Sequence, residues 1–230
     1  MRRALRDAAA GAPSFGAFML EDGLARSLSR FPVRSPASGE YAGGVGGDGF
    51  REWVAAFLRR VGRGDGSQAD GIADLVRSFC EAQGKAHALV HLRATFPNKR
   101  FAEPRWHRDG AYWPGAHCKK LVVSLRGAGT LFGELTGPHP EFPLPPGGGH
   151  GARELAAAAA RHRAETAAVT RLARALGPQE AGVYTVGGGE DANMHSEPDM
   201  TMRRLFLAVL PGDASQVAWR GRRGRRGARS

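Results

Sequence analysis

Only two cysteines, Cys80 and Cys118, occur in 230 residues, and neither belongs to a C-x-x-C pair. Two cysteines do not support a disulfide framework, and without a C-x-x-C partner for either a structural zinc site is not expected. A reducing setting inside the cell, cytoplasm or nucleus, is the natural reading. No stretch approaches the roughly 18 apolar residues of a membrane span, so no membrane partner is expected. The start, Met1-Arg2-Arg3-Ala4-Leu5-Arg6-Asp7, has the basic, alanine-rich look of an organelle transit peptide, but Asp7, Glu21 and Asp22 dilute that signal and no secretory hydrophobic core follows. Gly187-Gly188-Gly189 lacks the Lys-Ser/Thr and the following helix of a phosphate loop.

Acidic residues are also missing from the end of the chain. From Trp219 onward there are Arg220, Arg222, Arg223, Arg225, Arg226 and Arg229 and no acid, so six of the eleven net positive charges sit in this tail. The pI near 10.8 therefore describes the tail more than the domain. A Gly/Arg tail over 213–230 reads as disordered. It suits non-specific contact with nucleic acid or another polyanion, and a solvated tail without a dedicated partner fits the same composition.

What is present is enough for one domain, with 42% hydrophobic residues. Residues 1–48 form an N-terminal segment of weak periodicity, with a short helix over Ala17–Ser29 and a flexible connector through Pro32, Pro36 and the glycines from Gly43 to Gly47. The main domain spans 49–212. Asp48 caps a helix in which Phe50, Trp53, Val54, Phe57, Leu58 and Val61 recur at helical spacing. A second helix covers Ala69–Ala82 with Ile72, Leu75, Val76 and Phe79 on one face. Strand patterns then cover Ala86–Thr95, Cys118–Arg126, Ala181–Val186 and Arg204–Leu210. Between them, Pro138–Gly149 is a loop, and Ala152–Leu176 has the propensity of a long helical insertion, with Val169, Leu172 and Leu176 docking its far half.

The chemistry is concentrated in Trp106-His107-Arg108-Asp109-Gly110 and Met194-His195-Ser196. In an extended segment residues i and i+2 point the same way, so His107 and Asp109 reach a common point. His195, 86 residues after Asp109, is a candidate third ligand. Two histidines and a carboxylate form the facial triad that holds non-haem Fe(II) with open positions. Nine residues after His195, Arg204 enters the apolar run Leu205–Leu210, where a buried cation needs an anionic partner. A dicarboxylate co-substrate is one.

This order resembles the Fe(II)/2-oxoglutarate-dependent dioxygenase superfamily, over roughly Ala86 to Pro211. The likeness is closest to a poorly characterised group in which a strand ending in Gly-x-Gly-Thr follows the H-x-D and a short Ser/Pro segment follows the distal histidine. Here these read Lys120-Leu121-Val122-Val123-Ser124-Leu125-Arg126-Gly127-Ala128-Gly129-Thr130 and His195-Ser196-Glu197-Pro198. The resemblance implies an α+β chain with a double-stranded β-helix (jelly-roll, cupin-like) core buttressed by the N-terminal helices. It also implies Fe(II) held by His107, Asp109 and His195, 2-oxoglutarate gripped by Arg204 through a charge-assisted pair, and hydroxylation or demethylation of an unknown substrate.

Several alternatives stay open. Both faces of the last strand are apolar, so periodicity does not choose Arg204 over Arg203; a rim arginine paired with Glu197 or Asp199 fits as well. Ser124, Thr130 and Tyr184 are candidate second donors to the co-substrate, yet strand hydroxyls usually have structural partners. His87 and His91 share one strand face and are candidate extra ligands or rim residues. Trp106, Tyr112 and Trp113 suit a pocket wall or the core. The loop Phe96–Arg105, with Lys99, Arg100 and Arg105, suits substrate contact or solvation. An Asp-Gly turn explains Asp109 equally well. Two other functions fit: a β-helix domain that binds metal or ligand without turnover, and a nucleic-acid-binding protein acting through its tail.

Overall fold

The computed structural model describes residue 7 and residues 15–97, 104–110, 112–113, 118–138, 140, 152–187 and 192–219. It is a mixed α/β architecture of two antiparallel sheets, with the three helices between residues 22 and 82 packed against the core of the larger sheet. The larger sheet runs β1-β8-β5-β10-β3-β2 and the smaller β4-β9-β6-β7. The strands are β1 (Phe15–Met19), β2 (Ala37–Gly44), β3 (His87–Thr95), β4 (His107–Arg108), β5 (Cys118–Arg126), β6 (Leu131–Leu135), β7 (Thr170–Ala175), β8 (Glu180–Val186), β9 (Met194–Ser196) and β10 (Arg204–Gly212). From β3 to β10 the chain crosses between sheets at every step except β6 to β7.

Strand β10 lies between β3 and β5, with Leu207 opposite Leu92 on one side and Val123 on the other. Period-two alternation divides its side chains. Leu205, Leu207 and Val209 join the core under the helices. Ala208 and Leu210 join a second core with Val122, Phe132, Tyr184 and Val186. A strand covered on both faces reads as a continuous apolar run, which is why its alternation was hidden.

The helices are α1 (Asp22–Ser29), α2 (Asp48–Val61), α3 (Gly66–Ala82) and α4 (Ala152–Ala168). The aromatic stripe of α2 and the apolar face of α3 are core, as expected. Helix α3 starts earlier than its periodicity indicates because Asp65 and Gln68 form a reciprocal capping box. Asp48 lies in the first turn of α2, and the cap residue is Gly47, without a side-chain bond. Cys80 is fully buried here, and burial pushes its thiol up to about 12, making it unreactive.

Three expectations need correction. The helix expected over 152–176 stops at Ala168, and Thr170–Ala175 forms β7 against β6. Thr166 and Thr170 turn their hydroxyls onto His162 O and Thr166 O. These β-branched residues weaken the helix, and the ladder to β6 overrides the propensity of Leu-Ala-Arg-Ala. Leu172 is exposed, whereas Leu176 does dock. The helix expected over 17–29 is shortened to α1, since 15–19 pair with β8 as an edge strand. The glycine connector is largely β2, an edge strand so rich in Ala and Gly that its alternation is invisible; Gly39 lets it lie against Phe57 and Trp53.

Of the disordered tail expected over 213–230, residues 214–219 are instead helical, with Val217 buried in the second core; the Arg-rich part from Arg220, most of the loop 96–105 and nearly all of 138–149 lie outside the described residues. Among the described residues no helix is long and apolar enough to cross a membrane.

Phe79 is fully buried in α3, with its ring in the core between helices and sheet. Phe79→Ala is expected to cost about 3–5 kcal/mol in urea unfolding. A loss below about 1 kcal/mol would place the main core elsewhere.

Candidate metal centre and anion pocket

The two histidines are cross-strand partners. Strands β4 and β9 pair antiparallel with His107 directly opposite His195, and Phe132 of β6 lies opposite His195 on the other side. Directly opposite residues present their side chains on one face, and the imidazole centroids are 4.3 Å apart. Asp109 follows two residues after His107, and its Oδ2 lies 3.4 Å from His195 Nε2. One ligand atom from each of the three lies within 4.8 Å of the others.

Backbone carbonyls set the imidazole tautomers. His107 Nδ1 donates to Arg105 O at 2.7 Å, and His195 Nδ1 donates to Asn193 O at 3.2 Å. Each ring therefore keeps its Nε2 lone pair for the shared point, as a metal-ligating histidine requires. The supporting segments are tied together. Ser196 Oγ accepts the Arg105 N–H, Asn193 Oδ1 accepts the Thr185 N–H, and Gly187 N donates to Asp109 O.

The protonation states also suit a metal. Burial is the largest influence on Asp109 and raises its pKa, but the charge of Lys120, the two imidazoles and the Lys120 hydrogen bond outweigh it and bring the carboxyl down to about 2. For His195 burial dominates and lowers the pKa, the neighbouring His107 and Lys120 charges add to it, and Asp109 opposes; the result is about 4. At neutral pH the site therefore holds a carboxylate and a neutral imidazole, the forms that ligate a metal. His107, Asp109 and His195 fit a metal ion by distance, tautomer and charge.

Two residues beside the triad were not foreseen in their roles. Lys120 Nζ donates to Asp109 Oδ2 at 2.6 Å and to Tyr112 Oη at 3.3 Å. The Tyr184 hydroxyl lies 3.2 Å from the same Oδ2 and 3.3 Å from His195 Nε2. Its pKa is raised well above the usual value, by burial first and then by Asp109, so it stays a phenol and a donor. Tyr184 thus belongs to the triad rather than to a co-substrate's far end.

Arg204 shares the cavity, of about 270 Å³, with the triad. Only 5% of it is exposed. Its Nε donates to Ser124 Oγ at 2.9 Å and Ala128 O at 3.0 Å, its Nη2 reaches Thr130 Oγ1 at 3.4 Å, and its Cζ sits 4.3 Å from the Phe206 ring centre. Burial lowers its pKa to about 10, so it is charged at neutral pH. Among the described residues no carboxylate is within salt-bridge distance of it; Glu197, which lines the same cavity, acts only through space. Arg203 instead lies outside, donating to Val33 O and stacking on Phe96.

The Gly-x-Gly-Thr turn now has a physical account. Gly127 has φ +89°, and a Cβ there would meet Arg203 O at 2.8 Å. A Cβ on Gly129 would lie 2.2 Å from Leu176 O. The turn delivers Ala128 O and Thr130 to Arg204. Ser124 does not line the cavity: its hydroxyl proton is committed to Ala128 O at 2.6 Å, so it holds the arginine and has no proton for a co-substrate. Thr130 does line it.

Other candidates divide. His91 lines the cavity but its Nδ1 faces Glu40 at 3.6 Å, and neither it nor His87 joins the ligand group. Tyr112 is a wall residue, Trp113 is core, and Trp106 packs beside Gly133.

No protein-family model and no curated protein matches the chain. Among solved structures it is similar to a Pseudomonas putida prolyl-4-hydroxylase, at 13% identity over 93% of this chain and 99% of that one, TM-score 0.44. AviO1 from Streptomyces viridochromogenes Tue57 follows at 14% identity over 91% and 94%, TM-score 0.40. EvdO2 from Micromonospora carbonacea var. aurantiaca has 14% identity over 91% and 88%, TM-score 0.39.

The His195 shift predicts acid sensitivity of the metal-free protein. The unfolded imidazole takes up a proton below about 6.5, and the folded one only near 4. Stability from this group is therefore complete above about pH 6.5 and is lost as pH falls towards 4. Urea unfolding in EDTA should show a loss of about 2 kcal/mol between pH 7 and 5 from this group, and His195→Gln should flatten that slope. An unchanged slope in the variant would assign the acid sensitivity to other groups.

Proposed function

We propose that this chain is an Fe(II)- and 2-oxoglutarate-dependent oxygenase with a double-stranded β-helix core, acting by hydroxylation or demethylation of its substrate. The reading rests on one observation: a two-histidine, one-carboxylate cluster and a buried arginine that has no carboxylate within salt-bridge distance among the described residues share one cavity. The strand orders β8-β5-β10-β3 and β4-β9-β6-β7 support the jelly-roll part of the reading.

With O₂ as the oxidant, the bound metal and keto acid would supply oxidative decarboxylation of 2-oxoglutarate to succinate and CO₂, one oxygen atom going to succinate and the other to a substrate C–H bond. The protein's share is binding, orientation and exclusion of water. His107 and His195 offer Nε2, and Asp109 offers a carboxylate oxygen. Arg204 would receive the distal carboxylate of the keto acid in a charge-assisted pair, with Thr130 beside it and Ser124 and Ala128 O fixing the guanidinium. Tyr184 keeps its proton and steadies Asp109. Val122, Phe206 and Ala208 make the intervening wall apolar, which strengthens the charge pairing.

One observation favours a second reading, a ligand-binding domain without turnover: Asp109 already carries an ammonium partner. Anaerobic Fe(II) and 2-oxoglutarate titration, followed by the visible metal-to-ligand charge-transfer band, tests the first reading. Wild type should develop the band. His107→Ala and His195→Ala should abolish it, and Arg204→Ala should weaken 2-oxoglutarate binding by tenfold or more, about 1.4 kcal/mol. Absence of the band in folded, iron-loaded wild type would remove the 2-oxoglutarate assignment. Stoichiometric iron without succinate formation would favour the second.

The Arg-rich tail is a separate proposal, as a polyanion contact. Truncation after Trp219 should abolish salt-sensitive binding to nucleic acid, and His107→Ala should leave it unchanged; binding that survives truncation would exclude the tail.

A further inference from the structure

Asp109 Oδ2 is approached by three groups: Lys120 Nζ at 2.6 Å, Tyr184 Oη at 3.2 Å and His195 Nε2 at 3.4 Å. Tyr184 and His195 are neutral. Lys120 brings a full positive charge from β5 in the larger sheet, across the sandwich from the ligand strands β4 and β9. The side chains of Lys120 and Asp109 are only 11% and 13% exposed. The ammonium therefore bonds to the very oxygen that faces the ligand nitrogen of His195.

We propose that Lys120 is a resident cation, occupying Asp109 in the metal-free protein and leaving Oδ2 when a divalent ion binds, so that it sets the threshold for metal loading. The inference rests on the metal-centre reading above. A divalent ion bonded to Oδ2 would lie within a few ångströms of an ammonium held at 2.6 Å, where burial leaves like-charge repulsion weakly screened. The two cations compete for one oxygen. A second partner for the lysine is already in place: Tyr112 Oη lies 3.3 Å from Nζ, and the centre of its ring 5.4 Å. The flexible four-carbon stem allows the shift without stranding the charge. Apparent metal affinity is then reduced by the fraction of molecules in which Oδ2 is free.

A merely structural ion pair makes a different prediction. Removing one partner of a buried pair destabilises the metal-free protein in either case. If Lys120 supports Asp109 as a ligand, its removal weakens metal binding; if it competes, removal strengthens binding.

Mn(II) is the probe, titrated into EDTA-stripped, full-length protein and followed by loss of the free-ion EPR signal, with thermal melting in parallel. Lys120→Met and Lys120→Gln should bind Mn(II) at least about tenfold more tightly than wild type, about 1.4 kcal/mol. Without metal both should melt below wild type, and Mn(II) should raise their melting temperatures more than it raises that of wild type. Lys120→Arg keeps the charge and should stay near wild-type affinity. If Lys120→Met does not fold, Lys120→Gln, which keeps a hydrogen-bond donor, carries the test. Equal or weaker Mn(II) binding by a folded, charge-free variant would overturn the proposal while leaving the metal centre standing. Failure of wild type and folded variants alike to bind Mn(II) would overturn the metal centre itself, and the competition with it.

Discussion

A guanidinium inside a β-sandwich is a costly thing to fold around. Arg204 sits in the central pair of the larger sheet, and its hydrogen bonds go to two hydroxyls and a carbonyl rather than to a carboxylate. Neutral acceptors satisfy N–H groups but leave the charge incompletely compensated. Much of the local structure answers that one demand. The bulge where β10 meets β5 lies between Leu205 and Phe206, right after the arginine. The turn 127–130 bends so closely that glycine is required twice, and Ser124 commits its only proton to hold the acceptor carbonyl in place.

The other end of the cavity is organised by register. Because His107 and His195 are paired across two strands, their separation is fixed by the sheet rather than by loop conformation. Carbonyls two residues upstream orient both rings. This differs from a chance cluster of surface acids and histidines, in which neither spacing nor tautomer is imposed. Lys120 and Tyr184 close the cluster from the opposite sheet, so the carboxylate is held by both layers of the sandwich at once.

Alternation made β3 and β5 readable from sequence, β preference made β8 so, and β10, covered on both faces, announced itself as an apolar run. The same two-sided burial concealed which of Arg203 and Arg204 points inward. Residue types and order disclosed His107, Asp109 and His195, because extended spacing alone puts the first two on one side. Edge strands were harder. β2 is mostly small residues, and β7 is written in helix-forming ones; both exist because a neighbouring strand offers a ladder. Lys120 was missed since a lysine next to another lysine in a strand reads as solvent-facing. Its alternation with Val122 and Ser124, on a strand whose other face is Leu121, Val123 and Leu125, was the available signal. For Ser124 the structure favours the structural-partner alternative, a hydroxyl bonded to Ala128 O and accepting from Arg204.

Strand β4 consists of two residues at the outer edge of the smaller sheet and, among the described residues, pairs only with the three-residue β9. So short a ladder contributes little cohesion of its own, yet it carries His107 and leads directly into Asp109. Besides the backbone ties to Ser196 and Gly187 and the buried Trp106, this edge is joined to the rest by the polar cluster, the carboxylate tied to Lys120 across the sandwich and the imidazoles facing each other. On the proposed function, occupancy of the centre and order of the sheet margin would be coupled: a cation seated among these three side chains would act as a clasp, felt as slower hydrogen exchange along β4 and β9.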